Sequence, residues 1–333
     1  MKWGLIGAST IASQHMIGAI RALDGHQIAS VLSTSAERGA AYAARHDIPA
    51  STTRLEDIVG DPAIGAVYIS TTNEKHLPQA MAAIRAGQHV MCEKPLAMSV
   101  ADAVLMVREA RAAGVVLATN HHLRNAGSHL AIRELITSGR IGDILSIRVF
   151  HAVMLPENLR GWRIDNAAAG GGVIPDIVVH DADTVRFYLG EDPGEVVAQE
   201  ASSGLGQGVE DSVMSVWTMP SGVMVQTHES FTHRFAGTGI EVHGREGSII
   251  ARNVMTQRPV GDIRICTKDG EQTVPYSGHN LYVRAMERFA GAVRGKGRPS
   301  ATGTDGVKSL AVAAAVKEAA VTGHRIAVDY GGV

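Results

Sequence analysis

Through residue 120 the chain alternates short runs of β-branched and aliphatic residues with longer stretches in which apolar positions recur at helical spacing. Strand-like runs fall at 2–6, 27–33, 66–70, 89–92 and 115–118, and amphipathic segments lie near 11–23, 36–46, 75–87 and 100–113. Gly87 and Gly114 stand where helix C-caps belong. Strand, helix, strand at this spacing describes βαβ units, and hence a doubly wound parallel sheet covered on both faces.

Beyond residue 120 the rhythm changes to longer alternating runs at 144–154, 195–203, 212–219, 223–231, 240–243, 248–253, 262–267 and 272–275. Tight-turn signals at Pro220-Ser221-Gly222, Arg245-Glu246-Gly247 and Lys268-Asp269-Gly270 join several of them. The pattern predicts a large, open, mostly antiparallel sheet, with one face left for solvent or a partner copy. Helices are predicted at 126–138, 175–189, 280–294 and 304–322, the last two late enough to pack back on either domain. The expected division is 1–120 and 121–333.

Composition narrows the function classes. Hydrophobic residues make up 45% of the 333 and charged ones 19%, with 37 Gly but only 3 Trp, 6 Tyr and 5 Phe, so the chain folds into globular domains. A net charge of -2 without clustering argues against a nucleic-acid partner. No apolar run reaches the roughly 18 residues that a membrane span needs. The start MKWGLIGASTIAS has the charge and apolar run of a secretory leader, but Gly4, Gly7, Ser9 and Thr10 interrupt it, and a first strand running into a glycine-rich turn fits better. Cys92 and Cys266 are read as free thiols in a reducing cytoplasm.

Three motifs carry chemistry. The first is Gly4-Leu5-Ile6-Gly7-Ala8-Ser9-Thr10-Ile11-Ala12, where a strand runs into a helix and backbone amides can approach a pyrophosphate; Ser9 and Ala12 replace two glycines of the full dinucleotide fingerprint. At the end of the second strand, where an NAD-preferring protein places an acid, stand Ser33-Thr34-Ser35-Ala36-Glu37-Arg38. Two hydroxyls and a guanidinium suit the 2′-phosphate of NADP, while Glu37 could instead reach a ribose. The second motif, Cys92-Glu93-Lys94-Pro95-Leu96, follows the fourth strand at the carboxyl edge of the sheet; a cis Lys94–Pro95 bond is one way to aim the ammonium inward. The third is Gly170-Gly171-Gly172 followed by Asp176 and His180, four apart on a helix face, a carboxylate beside an imidazole suited to proton donation. A metal site from His180, Asp181 and Asp183 is disfavoured because adjacent helix positions diverge, so no metal is expected.

With Thr71-Thr72-Asn73 after the third strand, these motifs resemble the glucose–fructose oxidoreductase / inositol dehydrogenase family over essentially the whole chain. The resemblance implies a Rossmann domain followed by an α/β domain with an open sheet, and a small sugar as substrate. More narrowly, the stretches Trp3 to Ala12, Ser33 to Gly39, Thr119-Asn120-His121-His122-Leu123-Arg124-Asn125 and His243 to Gln257 look like a reductase subgroup that uses NADPH to reduce the C2 ketone of 1,5-anhydro-D-fructose to 1,5-anhydro-D-mannitol. Carried over by motif, Lys94, Asp176 and His180 form the catalytic group. Implied cofactor contacts are Ser9, Thr10, Ile11 and Ala12; Ser33, Thr34 and Arg38; Thr71, Thr72, Asn73, Glu74, Lys75 and His76; and Glu93, Lys94, Asn120, Trp162, Arg163 and Tyr282. Two rival functions remain: an NAD-dependent polyol or inositol dehydrogenase, and a non-catalytic dinucleotide sensor. The Ser33-Thr34 strand end weighs against the first, and the joint presence of Lys94, Asp176 and His180 against the second.

Overall fold

The computed structural model describes all residues from Met1 to Val333. Two compact units emerge: Met1–His121 with Tyr282–Val307, and His122–Leu281 with Lys308–Val333.

In the first unit, β1 (Lys2–Ile6), β2 (Gln27–Leu32), β3 (Ala50–Thr52), β4 (Ile64–Ile69), β5 (His89–Cys92) and β6 (Leu117–Thr119) form one sheet in the order β3-β2-β1-β4-β5-β6. Every pairing is parallel. Trp3, Leu5 and Ile6 of β1 are fully buried, as a central strand covered on both faces requires. The polar β3, Ala50-Ser51-Thr52, carries no apolar run and is invisible to patterning. Strand β6 starts two residues later than its sequence suggests, because the Val115 N–H is spent on the Ala110 carbonyl and the Val116 N–H on His89 Nδ1. Gly4 proves to be a packing residue: a Cβ there would lie 2.5 Å from Ile58 Cγ2. The helix Leu281–Val293 contributes Phe289, whose ring centroid lies 5.4 Å from that of Trp3.

The second unit holds β7 (Ile144–Ala152), β8 (Glu195–Ala201), β9 (Ser212–Thr218), β10 (Met224–Ser230), β11 (Gly239–Gly244), β12 (Gly247–Arg252), β13 (Asp262–Thr267), β14 (Gly270–Thr273) and β15 (Ile326–Ala327). Their order is β14-β13-β12-β11-β7-β10-β9-β8-β15, antiparallel throughout except for the β7/β10 pair. Ile147, Val149, Val225, Ile240 and Ile249 line the inner face and share a core with Ile132, Val185, Val312 and Val316 of the helices. Met214, Val216 and Met224 lie exposed on the other face. The parallel sheet followed by a larger, predominantly antiparallel one is the architecture that the patterning predicts. No helix is long and apolar enough to cross a membrane.

Candidate active site

At the carboxyl end of β1 the chain turns through Gly7, whose φ of +116° and close approach to the Ser70 backbone, 3.0 Å from a would-be Cβ, leave room only for glycine. The helix that follows opens with a π turn, Ala12–Met16, and has no acidic residue in its first turn. Ser9 Oγ accepts the Ala12 N–H at 3.2 Å and pairs with Ser70 Oγ at 2.7 Å, while Thr10 is exposed and Ile11 partly so. At the end of β2, Ser33 is buried and its Oγ has no partner within the chain. Thr34 and Arg38 are exposed, and Arg38 Nη2 donates to the Ala8 carbonyl at 2.9 Å, bringing the guanidinium to the glycine turn.

The loop after β4 is tied down internally. Thr71 Oγ1 bonds Gln79 at 2.7 Å and Thr72 Oγ1 bonds Glu74 at 2.7 Å; Asn73 is buried, and Lys75 is exposed. The His76 ring is fully buried between the Pro95 carbonyl, 2.8 Å from Nδ1, and the Thr71 carbonyl, 3.3 Å from Nε2. It thus fixes the Thr71 loop against the Lys94–Pro95 turn, whose peptide bond is cis. After β5, Glu93 Oε1 accepts from the Tyr68 hydroxyl at 2.5 Å and from Asn120 Nδ2 at 2.6 Å. Burial pushes the Glu93 carboxyl up, and the Asn120 amide, the Tyr68 hydroxyl and the Lys94 charge hold it back. Asn120 Oδ1 is buried with no partner within the chain. Tyr282 is buried, stacked on His15 at 4.6 Å, and both burial and the Glu93 charge push its hydroxyl well above the usual range.

Gly7, Ser33, Ser70, Glu93 and Asn120 each follow the carboxyl end of a parallel strand, so all lie along one sheet edge. A tight glycine turn, a helix start with no acid of its own, and two buried polar atoms awaiting partners fit a bound dinucleotide.

The second unit holds the remaining residues. The Trp162–Asp165 helix places the Arg163 guanidinium 4.5 Å from the Trp162 ring centroid and its Nε 3.5 Å from Asp176 Oδ2. The helix expected over 175–189 begins as a π turn, Ile174–Val178, and continues as Val179–Leu189. Asp176 sits in the π turn and is partly buried; His180 is buried, with the His122 ring edge-on at 4.9 Å. Glu210 fixes the start of this helix. Its carbonyl accepts the Val173 N–H, its Oε1 accepts the Ile174 N–H at 3.0 Å, and its Oε2 receives Lys317 Nζ at 2.8 Å. Sequence reasoning missed Tyr68, His15, His122 and Glu210, whose partners lie dozens of residues away or more and leave no local signal.

Residues 1–121 match the GFO/IDH/MocA oxidoreductase family with its NAD-binding Rossmann fold, and residues 129–250 match the GFO/IDH/MocA C-terminal domain. The chain belongs to the GFO/IDH/MocA family. It is an oxidoreductase, and its first unit is a nicotinamide-dinucleotide domain. It is 57% identical over 331 residues to 1,5-anhydro-D-fructose reductase of Ensifer adhaerens, covering 99% of each chain. Inositol 2-dehydrogenase of Rhizobium meliloti is 28% identical over 334 residues, 96% of this chain and 97% of that one. The fold is shared with the aldose-aldose oxidoreductase of Caulobacter crescentus, with a TM-score of 0.90 at 24% identity over 98% of this chain and 99% of that one.

Proposed function

We propose that this protein reduces the C2 ketone of 1,5-anhydro-D-fructose to 1,5-anhydro-D-mannitol with NADPH. The 57% identity to the Ensifer adhaerens reductase carries the reading, since it extends over both units. When bound, the reduced nicotinamide supplies a hydride to the ketone carbon. His180 gives the proton to the substrate oxygen as charge grows there. The Lys94 ammonium hydrogen-bonds the oxygen or a neighbouring hydroxyl and stabilises that charge. Asp176, held by Arg163, orients the sugar through a hydroxyl.

The preference for NADP over NAD rests on the end of β2. A buried serine with an unused Oγ and a guanidinium anchored on Ala8 suit a 2′-phosphate, and the residue directly after β2 is this serine and not an acid. The two thiols, one buried and one partly so, are free, which suits a reducing cytoplasm.

The deciding experiment follows NADPH and NADH oxidation spectrophotometrically against 1,5-anhydro-D-fructose and other 2-keto sugars, beside NAD+ reduction by inositol. NADPH oxidation with anhydrofructose is the expected result. Inositol oxidation without it would replace this reading with a polyol dehydrogenase.

A further inference from the structure

Behind His180 lie two carboxyl groups that the reaction above does not use. Asp181 belongs to the helix Val179–Leu189 and Glu229 to β10, and both are fully buried. Their four oxygens can be followed individually. Glu229 Oε2 accepts the Thr227 hydroxyl at 3.1 Å, and Asp181 Oδ1 faces His151 Nδ1 at 2.8 Å. The other two, Asp181 Oδ2 and Glu229 Oε1, meet no N–H or hydroxyl donor, and the two carboxyl groups are close enough for each to act on the other. Two bare carboxylates that face each other in a buried site repel, and a proton held between them removes the repulsion. One proton for the pair and one on His151 Nδ1 satisfies every oxygen. Burial pushes both acids well above the ordinary carboxylate range, and the Asp181 charge raises Glu229 further.

The His151 ring, on β7, lies 6.4 Å from the His180 ring centroid to centroid, tilted by 43°. With Nδ1 turned to Asp181, Nε2 is the other nitrogen of the ring. We propose that Asp181 and Glu229 share one proton as a buried monoanion that holds His151 as a proton store for His180. After His180 has protonated the product, the N–H bond at His151 Nε2 breaks, an N–H bond forms on His180, and neutral His151 then takes a proton from water. The unit positions and recharges His180 without touching substrate, and its use in turnover rests on His180 being the donor.

Other titratable groups face this cluster. His129, on the helix Gly127–Thr137, is pushed by burial to about 4, and its nitrogens lie 2.6 Å from the Tyr188 hydroxyl and 3.1 Å from the Val254 carbonyl, so it stays neutral and outside the transfer. Asp183 is paired with Arg124 at 2.7 Å, and His122 meets His180 edge-on.

The test is a ¹⁵N NMR titration of the histidines in the full chain, which needs no substrate, paired with the pH profile of kcat. Asp181→Asn removes the anion; the His151 midpoint should fall by about one unit or more, and the alkaline limb of kcat should move the same way. Glu229→Gln exchanges the shared proton for an amide N–H at constant charge, so the His151 midpoint should stay within about 0.3 unit. A midpoint unmoved by Asp181→Asn, or one lowered equally by Glu229→Gln, overturns the monoanion. Should Asp181→Asn fail to fold, the Glu229→Gln titration decides that point, and His151→Gln decides the transfer. The latter should cut kcat about tenfold or more with KM unchanged, and an unchanged kcat would refute the store. If anhydrofructose is not turned over at all, the NMR arm still judges the monoanion.

Discussion

Each unit has one helix that starts in the same way, yet the two helix starts differ in what faces their amides. Gly7 and Gly172 have nearly equal φ, +116° and +113°, and each precedes a helix that opens with a π turn. What the missing Cβ makes room for differs. At Gly7 the neighbour is the backbone of Ser70, and no acidic side chain occupies the first turn of the helix; at Gly172 it is the Glu210 carboxylate, whose Oε1 would lie within 2.3 Å of a Cβ. A helix N-terminus favours negative charge. The first has no carboxylate of its own facing its amides, while the second is closed by the chain's own carboxylate, which fixes the segment bearing Asp176 and His180. A glycine-rich turn before a helix is therefore not in itself a sign of anion binding; what faces the amides decides.

The largest effect is expected at the closed helix start. Gly172→Ala puts a methyl group into the Glu210 carboxylate at a φ that alanine resists; a destabilisation of about 3 kcal/mol or more is expected, read as a lower Tm with loss of turnover. A second variant converts the open start into a closed one. Ser9→Asp supplies the first helix with an acid of its own, which should stabilise the unliganded protein by about 0.3–1 kcal/mol while weakening NADPH at least tenfold in a direct binding titration. A stabilised protein with undiminished NADPH affinity would mean that the phosphate does not sit at this helix N-terminus. Ser33→Asp asks the same of the neighbouring strand end. It should weaken NADPH by about tenfold, the worth of one charge-assisted contact, and spare NADH; equal loss of both would remove the 2′-phosphate from the end of β2.

A smaller effect separates how the two units hold buried acid. Glu93 is met by neutral donors, Tyr68 and Asn120, whereas Asp181 is met by the His151 ring and by a second carboxyl. Burial raises Glu93 above its ordinary value of 4.5 in the folded protein, so its contribution favours the fold at low pH and is lost as pH rises from that value through the raised one. Glu93→Gln lacks this loss, so the Tm of the variant relative to wild type should climb as pH rises above 4.5. A difference that stays flat with pH would mean that Glu93 is not raised.

Much of this was legible from local pattern. Five of the six strands of the first sheet are short apolar runs followed by turn or helix signals, and Gly87 and Gly114 end their helices with φ of +76° and +67°. The triple glycine and the Asp176/His180 spacing mark the start of the second unit's helix. Strand β3 was not legible because pairing with β2, rather than its own composition, makes it a strand. Nor was the reason for Gly4, which is the approach of Ile58 from 54 residues away in the chain.

The sequence by itself determined where strands and helices alternate, the change from a parallel to an antiparallel sheet, and the residue types able to bind a dinucleotide and move a proton, because periodicity and turn chemistry act over a few residues. Tertiary structure alone decided which groups meet. His15 stacks on Tyr282, Asn120 bonds Glu93, Glu210 caps the segment before His180, and Glu229 faces Asp181. Each pair is brought together by sheet order and helix packing, and burial then pushes Glu93, Asp181 and Glu229 above the ordinary carboxylate range.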